Sequence, residues 1–143
     1  MATILLIEDQ PDLGTYEANV LESAGHRIIR CFGGPTMFAA CPLLKVGRCS
    51  LIDAADLIVF SVPMFSIHGR TYRGEHLLRA YRSHVDYGRL PMVVVSIGTP
   101  KDLPGSGPIE RIDKFSEPHL VLEAIHRLLS WKNEPVGAGK GAH

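Results

Sequence analysis

The sequence has no net charge and no long apolar run. Its 143 residues include 15 basic and 15 acidic side chains, so the formal charge is zero. This balance argues against broad electrostatic binding to nucleic acid or to an anionic membrane. No apolar run approaches the ~20 residues that a transmembrane helix needs. The first residues, Met1 to Ile4, carry neither the basic leader nor the cleavage site of a signal peptide, so we expect a cytoplasmic protein.

Cysteine is also scarce, and the count is odd. The chain has Cys31, Cys41 and Cys49. Without an export signal, reduced thiols are expected, and a buried thiol packs as a small hydrophobic group. A zinc site built from these cysteines and a histidine is the alternative. The spacings, with nine and then seven residues between cysteines, match no familiar zinc pattern, so we favour buried or unreactive thiols.

What the chain does contain is a series of short apolar runs that alternate with amphipathic segments. Its length suits one domain with a real core, which we expect to span 1–131, followed by a disordered Gly-rich tail at 132–143. The alternation predicts a parallel sheet with helices on both faces. We predict strands at 3–7, 26–31, 56–61, 90–97 and 109–113, and helices at 12–24, 74–84 and 116–131.

Two connections have special compositions. Residues 41–53 lack a clean period and predict a loop or a broken helix. Residues 104–108, with two prolines and two glycines, cannot hold much helix. In the helix at 74–84, Leu77, Leu78 and Tyr81 form the apolar stripe, and we expect Arg79 and Arg82 to be solvated.

The run Asp56 to Ser61 predicts a central strand that is buried on both faces, because its four middle residues are all apolar. Ligands of parallel sheets bind beyond the carboxyl ends of the strands. Ser61 should therefore lie at any central pocket.

Four short segments resemble parts of the receiver domain of bacterial two-component response regulators. They come in the family's order, each at a predicted strand end or helix start. The resemblance implies a flavodoxin-like (CheY-like) α/β fold: a three-layer sandwich whose five-stranded parallel sheet has the order 2-1-3-4-5, here with a shortened fourth helix. The segments are ILLIEDQPDL (4–13), LESAGH (21–26), GEHLLR (74–79) and DKF (113–115).

The resemblance also implies a pocket. In the family, an acidic pair and an aspartate ending strand three bind Mg²⁺, and that aspartate accepts a phosphoryl group from a histidine kinase. A hydroxyl residue ending strand four and a lysine ending strand five contact the phosphoryl oxygens. The matching residues here are Glu8 and Asp9 for the acidic pair, Ser96 for the hydroxyl and Lys114 for the lysine, while Ser61 stands at the phosphoacceptor position.

Ser61 changes what this pocket can do. A carboxylate can form an acyl phosphate and hold Mg²⁺, whereas a serine hydroxyl is a poor metal ligand and cannot form that mixed anhydride. Because Mg²⁺ usually needs one or two carboxylates, Glu8 and Asp9 should bind it weakly at most, and no other cofactor is expected. Asp56 cannot take over, since it precedes Ser61 on the same strand by about 16 Å.

Alternatives remain open around this pocket. Asp9 and Lys114 could form a stabilising polar cluster that binds nothing. The long connection after Ser61 carries His68, Arg70, Tyr72 and Arg73, which could recognise a phosphate or an acidic partner, or could form a solvated basic loop with Tyr72 packed inward.

We therefore expect a pseudo-receiver: a single-domain signalling module that acts through protein–protein contacts without aspartyl phosphorylation. Its partner would be another signalling protein, and the resemblance implies the last strand and helix as the contact surface, also for a homodimer, because many members of the family form dimers through it. We expect neither nucleic acid nor membrane as a partner. A small-ligand or nucleotide-binding domain on the same fold is the alternative. An enzyme is the least favoured reading, because Ser61 lacks the flanking sequence of a nucleophile elbow.

Overall fold

The computed structural model describes residues 2–8, 11–32, 42–61, 74–96, 101–113 and 118–132. Several residues singled out above lie outside these ranges. They are Asp9, Cys41, His68, Arg70, Tyr72, Arg73 and Lys114, together with 133–143 of the predicted tail.

Five strands follow one another along the chain, and helices lie between all of them except, in the described residues, between β4 and β5. They form one parallel sheet in the order β2-β1-β3-β4-β5, which confirms the predicted fold. None of the helices in the described ranges has the length and apolarity needed to cross a membrane. The elements are β1 (Thr3–Glu8), α1 (Pro11–Ser23), β2 (Arg27–Phe32), α2 (Pro42–Val46), α3 (Ser50–Asp53), β3 (Leu57–Ser61), α4 (Gly74–Ser83), a 3-10 turn (Tyr87–Arg89), β4 (Met92–Val95), β5 (Ile109–Ile112) and α5 (Pro118–Lys132).

The sheet has a hydrophobic cluster on each face. Successive side chains of a strand point to opposite faces, so the wholly apolar strands supply both clusters. On one face, Ile58 and Phe60 pack with Leu77, Leu78 and Tyr81 of α4. On the other face the strands pack against α1 and α5, through Ala18, Leu21, Val121, Ala124, Ile125 and Leu128.

The described part of the segment, residues 42–53, is a broken helix, as one of the two predictions has it. The break between α2 and α3 falls at Gly47, whose φ of 77° favours glycine. The Tyr87 hydroxyl fixes this segment to the 3-10 turn: it accepts a hydrogen bond from the Cys49 N–H at 2.9 Å and lies 2.8 Å from Asp53 Oδ1. Burial raises the pKa of Tyr87, so the phenol stays protonated and can donate.

The prediction that Arg82 is solvated is wrong. Its side chain is buried at the end of α4. The guanidinium donates three hydrogen bonds to backbone carbonyls: to Pro104 at 3.0 Å, to Leu90 at 3.2 Å and to Gly107 at 2.6 Å. A planar fork with five N–H donors suits such a cage of carbonyl oxygens. Burial lowers the pKa of Arg82, and the charge of Arg111 lowers it further.

The connection from β4 to β5 contains no helix in residues 101–108. The helix that the resemblance places between these two strands was predicted to be shortened, and it is absent from this part of the connection. Backbone lies close to backbone at this place. A Cβ on Gly105, which has a φ of 94°, would stand 2.7 Å from the Gly88 carbonyl oxygen. Position 105 therefore requires glycine. Because this loop has no helical hydrogen bonds, the hydrogen bonds from Arg82 hold it in place.

Two bounds differ slightly from the predictions. The helix α5 continues through Lys132, which was predicted to begin the tail. The central strand begins at Leu57, because Asp56 serves as a cap for the neighbouring strand.

Candidate functional site

Glu8 and Ser61 end two neighbouring strands at the same level. Parallel pairing places Glu8 of β1 opposite Ser61 of β3. Their Cα atoms are therefore about one strand spacing apart, roughly 4.8 Å. Both residues continue the row of side chains that contains Ile4, Leu6, Leu57 and Val59, so they point toward the face covered by α1 and α5.

Ser96 follows β4 directly and lies at the same edge. Its N–H donates to the Ile112 carbonyl at 3.1 Å, which joins the end of β4 to the end of β5. The register pairs Phe60 with Val94, so Ser96 stands about one residue beyond the level of Ser61. The three predicted pocket residues that the structure describes thus lie at the ends of three adjacent strands, at one edge of the sheet.

All three polar side chains are shielded from solvent. Glu8 is 2% exposed, Ser61 1% and Ser96 5%. None of them is without an interaction partner, as expected for polar groups in this environment. Burying a carboxyl group and two hydroxyl groups is costly unless each of them is hydrogen-bonded.

The two aspartates closest to β3 in sequence are held at the opposite edge. The Thr3 N–H donates to Asp56 Oδ2 at 2.9 Å, and the Asp56 N–H donates to the Thr3 carbonyl at 2.7 Å. Asp53 pairs with Arg48 at 2.9 Å. Neither carboxylate can therefore stand in for an acid at position 61.

The chemistry available at this edge follows from Ser61. Its hydroxyl can donate or accept a hydrogen bond, but it offers no negative charge to a metal ion. Within the described ranges, no three or more His, Cys, Asp or Glu side chains are grouped so that they could hold a metal ion. Asp9 and Lys114, the other two predicted pocket residues, lie outside those ranges, so their part in the pocket stays a prediction.

The two described cysteines lie in or beside the core. Cys49 is buried and Cys31 is partly buried, and both pack with the cluster on the α4 face. This placement agrees with the prediction of thiols that pack as small hydrophobic groups.

The comparisons with known proteins identify the fold. No protein-family model and no curated protein sequence matches the chain. Solved structures do match. The signal receiver domain of a histidine kinase from Syntrophus aciditrophicus aligns with a TM-score of 0.65 and 20% identity over 96% of this chain and 97% of that one.

The chain has the fold of a receiver domain. A sensor protein from Polaromonas sp. JS666 aligns with a TM-score of 0.62 and 21% identity, over 90% of this chain and 96% of that one. The chemotaxis response regulator CheY4 of Vibrio cholerae aligns with a TM-score of 0.60 and 19% identity, over 90% and 98%. At these identities the likeness establishes the receiver fold, and the chemistry must be argued from this chain's own residues.

Proposed function

We propose that this protein is a receiver-like signalling module that acts by protein–protein contact and is not switched by aspartyl phosphorylation. The observation that supports this most strongly is the pairing of Ser61 with Glu8 at the ends of β3 and β1. No acid of this strand can take the place of Ser61, because its sequence neighbours Phe60 and Val62 are apolar and Asp56 is hydrogen-bonded to Thr3 at the other end of the strand.

The loss of the carboxylate removes two functions together. Without it there is no acceptor for an acyl phosphate, and Mg²⁺ loses a ligand beside Glu8, so we propose that bound Mg²⁺ is weak and dispensable. A fold that keeps its polar edge but lacks the acceptor can still present a surface to another protein. We therefore propose that the protein is not an enzyme and that binding alone carries its signal.

The surface that best fits a partner is the outer side of β5 and α5, which we call the β5–α5 face. On α5, Leu120, Glu123, Arg127 and Trp131 recur at helical spacing along one side. Leu120 is 38% exposed and Trp131 45% exposed, although both are large and apolar. Exposed aromatic and aliphatic side chains flanked by charges are typical of interaction sites.

The charged side chains Arg127 and Glu110 of this face are held in place by hydrogen bonds to each other. Arg127 makes two hydrogen bonds to the Glu110 carboxylate, at 3.1 and 2.9 Å, which join α5 to β5. A cavity of about 270 Å³ lies beside them and is lined by Arg111, Ile112, Asp113, Leu120, Glu123 and Arg127. Since β5 is the last of the described strands on its side of the sheet, no described strand pairs with its outer edge. A second copy of the chain or another signalling protein could bind here.

The test is cross-linking in cells of the source organism, with a photoreactive amino acid in place of Trp131. We expect a specific adduct whose yield does not change when a small phosphodonor is added. The matched control carries the same amino acid in place of Tyr16, which is 55% exposed on α1. Equal adducts from both positions, or an adduct that requires the phosphodonor, would contradict the proposal. A nucleotide or other small molecule that co-purifies with the chain would support the ligand-binding alternative instead.

A further inference from the structure

Two histidines from distant parts of the chain meet at the amino-terminal edge of the sheet, opposite the edge with Ser61. His26 lies in the turn between α1 and β2, and His126 lies on α5. Their Nε2 atoms are 3.3 Å apart, and the ring planes are inclined by 53°. The receiver chemistry discussed above uses neither residue.

The separation of the two nitrogens suits a shared metal ion. Imidazole binds Zn²⁺ through a ring nitrogen at about 2.0–2.1 Å, and two corners of a tetrahedron of that size are roughly 3.3–3.4 Å apart. The ring centroids are 5.4 Å apart, whereas the Nε2 atoms are 3.3 Å apart, so each Nε2 lies on the side of its ring that faces the other ring. One bound ion could therefore be held with little movement of either ring.

The protonation state also suits a metal ligand. Burial lowers the pKa of His26, and the nearby His126 lowers it further. This shift favours the neutral imidazole, which is the form that binds metal ions. In the metal-free protein, the pair is joined by a single hydrogen bond, whose proton a metal ion would displace.

We propose that His26 and His126 form a two-histidine site for Zn²⁺ or a similar divalent transition-metal ion. In the part of the chain that the structure describes, no third His, Cys, Asp or Glu completes the set. The described residues therefore leave the remaining coordination positions to water, and an ion held by two side chains should exchange readily. Binding would clamp α5 to the turn before β2, two elements 100 residues apart in sequence.

The site has one identifiable cost. The Ala2 N–H points at His26 Nδ1 at 3.4 Å. When Nε2 of His26 binds a metal ion, the ring proton moves to Nδ1, and this contact would then join two donors. A hydrogen bond of 3.4 Å is long and weak, so its loss costs little.

The test is titration of the full-length chain with ZnCl₂ at neutral pH by calorimetry. His126→Gln keeps a hydrogen-bond acceptor beside His26 but removes the imidazole. We expect it to weaken binding by at least about tenfold, since loss of even a second-shell partner costs a metal site about 10–100-fold. His119→Gln is the matched control: this exposed histidine lies on the same helix two turns away, about 10.5 Å along the axis, and should leave the affinity unchanged.

A second readout uses the unaltered protein. In NMR spectra, the ring protons of His26 and His126 should shift with the same apparent affinity as calorimetry gives, while those of His119 should not. Absence of zinc binding, equal affinities in the two glutamine variants, or shifts confined to other residues would overturn the proposal. If zinc binds to the cysteines instead, His126→Gln will bind zinc with unchanged affinity. That result would also overturn the proposal.

Discussion

Replacing Ser61 by aspartate should lower the free energy of unfolding by about 2–3 kcal/mol in Mg²⁺-free buffer at neutral pH. The new carboxylate would lie beside Glu8, at a position that is 1% exposed. Two like charges in a desolvated site repel each other, and an uncompensated buried charge commonly costs about 3–5 kcal/mol before protonation relieves part of it. Urea unfolding measures the loss.

Mg²⁺ should restore much of this stability, because the second carboxylate supplies the ligand that serine lacks. A ligand present at 100 times its dissociation constant stabilises the native state by about 2.7 kcal/mol. The matched control is Ser61→Asn, which has nearly the same shape without the charge and should not respond to Mg²⁺. If the aspartate and asparagine variants respond alike, Glu8 and position 61 do not form the metal-binding edge of a receiver pocket.

Replacing Arg82 by methionine should lower the free energy of unfolding by about 3–5 kcal/mol. The change leaves the carbonyls of Leu90, Pro104 and Gly107 without the guanidinium that now bonds all three. Each buried polar group left unsatisfied costs about 1–3 kcal/mol, and methionine recovers part of the sum by packing its apolar side chain. Chemical unfolding and amide hydrogen exchange in the loop 101–108 would measure the effect.

Arg79→Met is the matched control, since Arg79 lies one turn earlier on α4. Its side chain is 36% exposed and pairs with Glu75 and Asp102, whose side chains are 47% and 83% exposed. Exposed ion pairs contribute about 0–1 kcal/mol each. If Arg82→Met lowers the free energy of unfolding by less than about 1 kcal/mol, Arg82 does not hold the loop. Equal decreases in Arg82→Met and Arg79→Met would lead to the same conclusion.

The sheet and its polar edge were predictable because local patterns specify them. Runs of four apolar residues mark each of the three central strands, and the carboxyl ends of these strands must meet at one edge of a parallel sheet. The neighbouring placement of Glu8, Ser61 and Ser96 follows from that rule alone. The break between α2 and α3 follows from Gly47 and from the lack of a helical period around it.

Arg82 shows where such reasoning stops. Its position, four residues after Leu78, lies on the buried side of α4, so burial was predictable from spacing, although its charge argued the other way. Its acceptors were not predictable, because Pro104 and Gly107 lie 22 and 25 residues further along the chain. The contact between His26 and His126 spans 100 residues. No local pattern carries information of that range.

The central claim is that this receiver fold works without a phosphoacceptor. The most direct measurement is the intact mass of the full-length chain after incubation with acetyl phosphate and Mg²⁺, alongside a receiver domain that has an intact acceptor aspartate as positive control. We predict that the control gains one phosphoryl group and that this chain gains none. A base-labile phosphoryl group on any aspartate or glutamate of this chain would contradict the account.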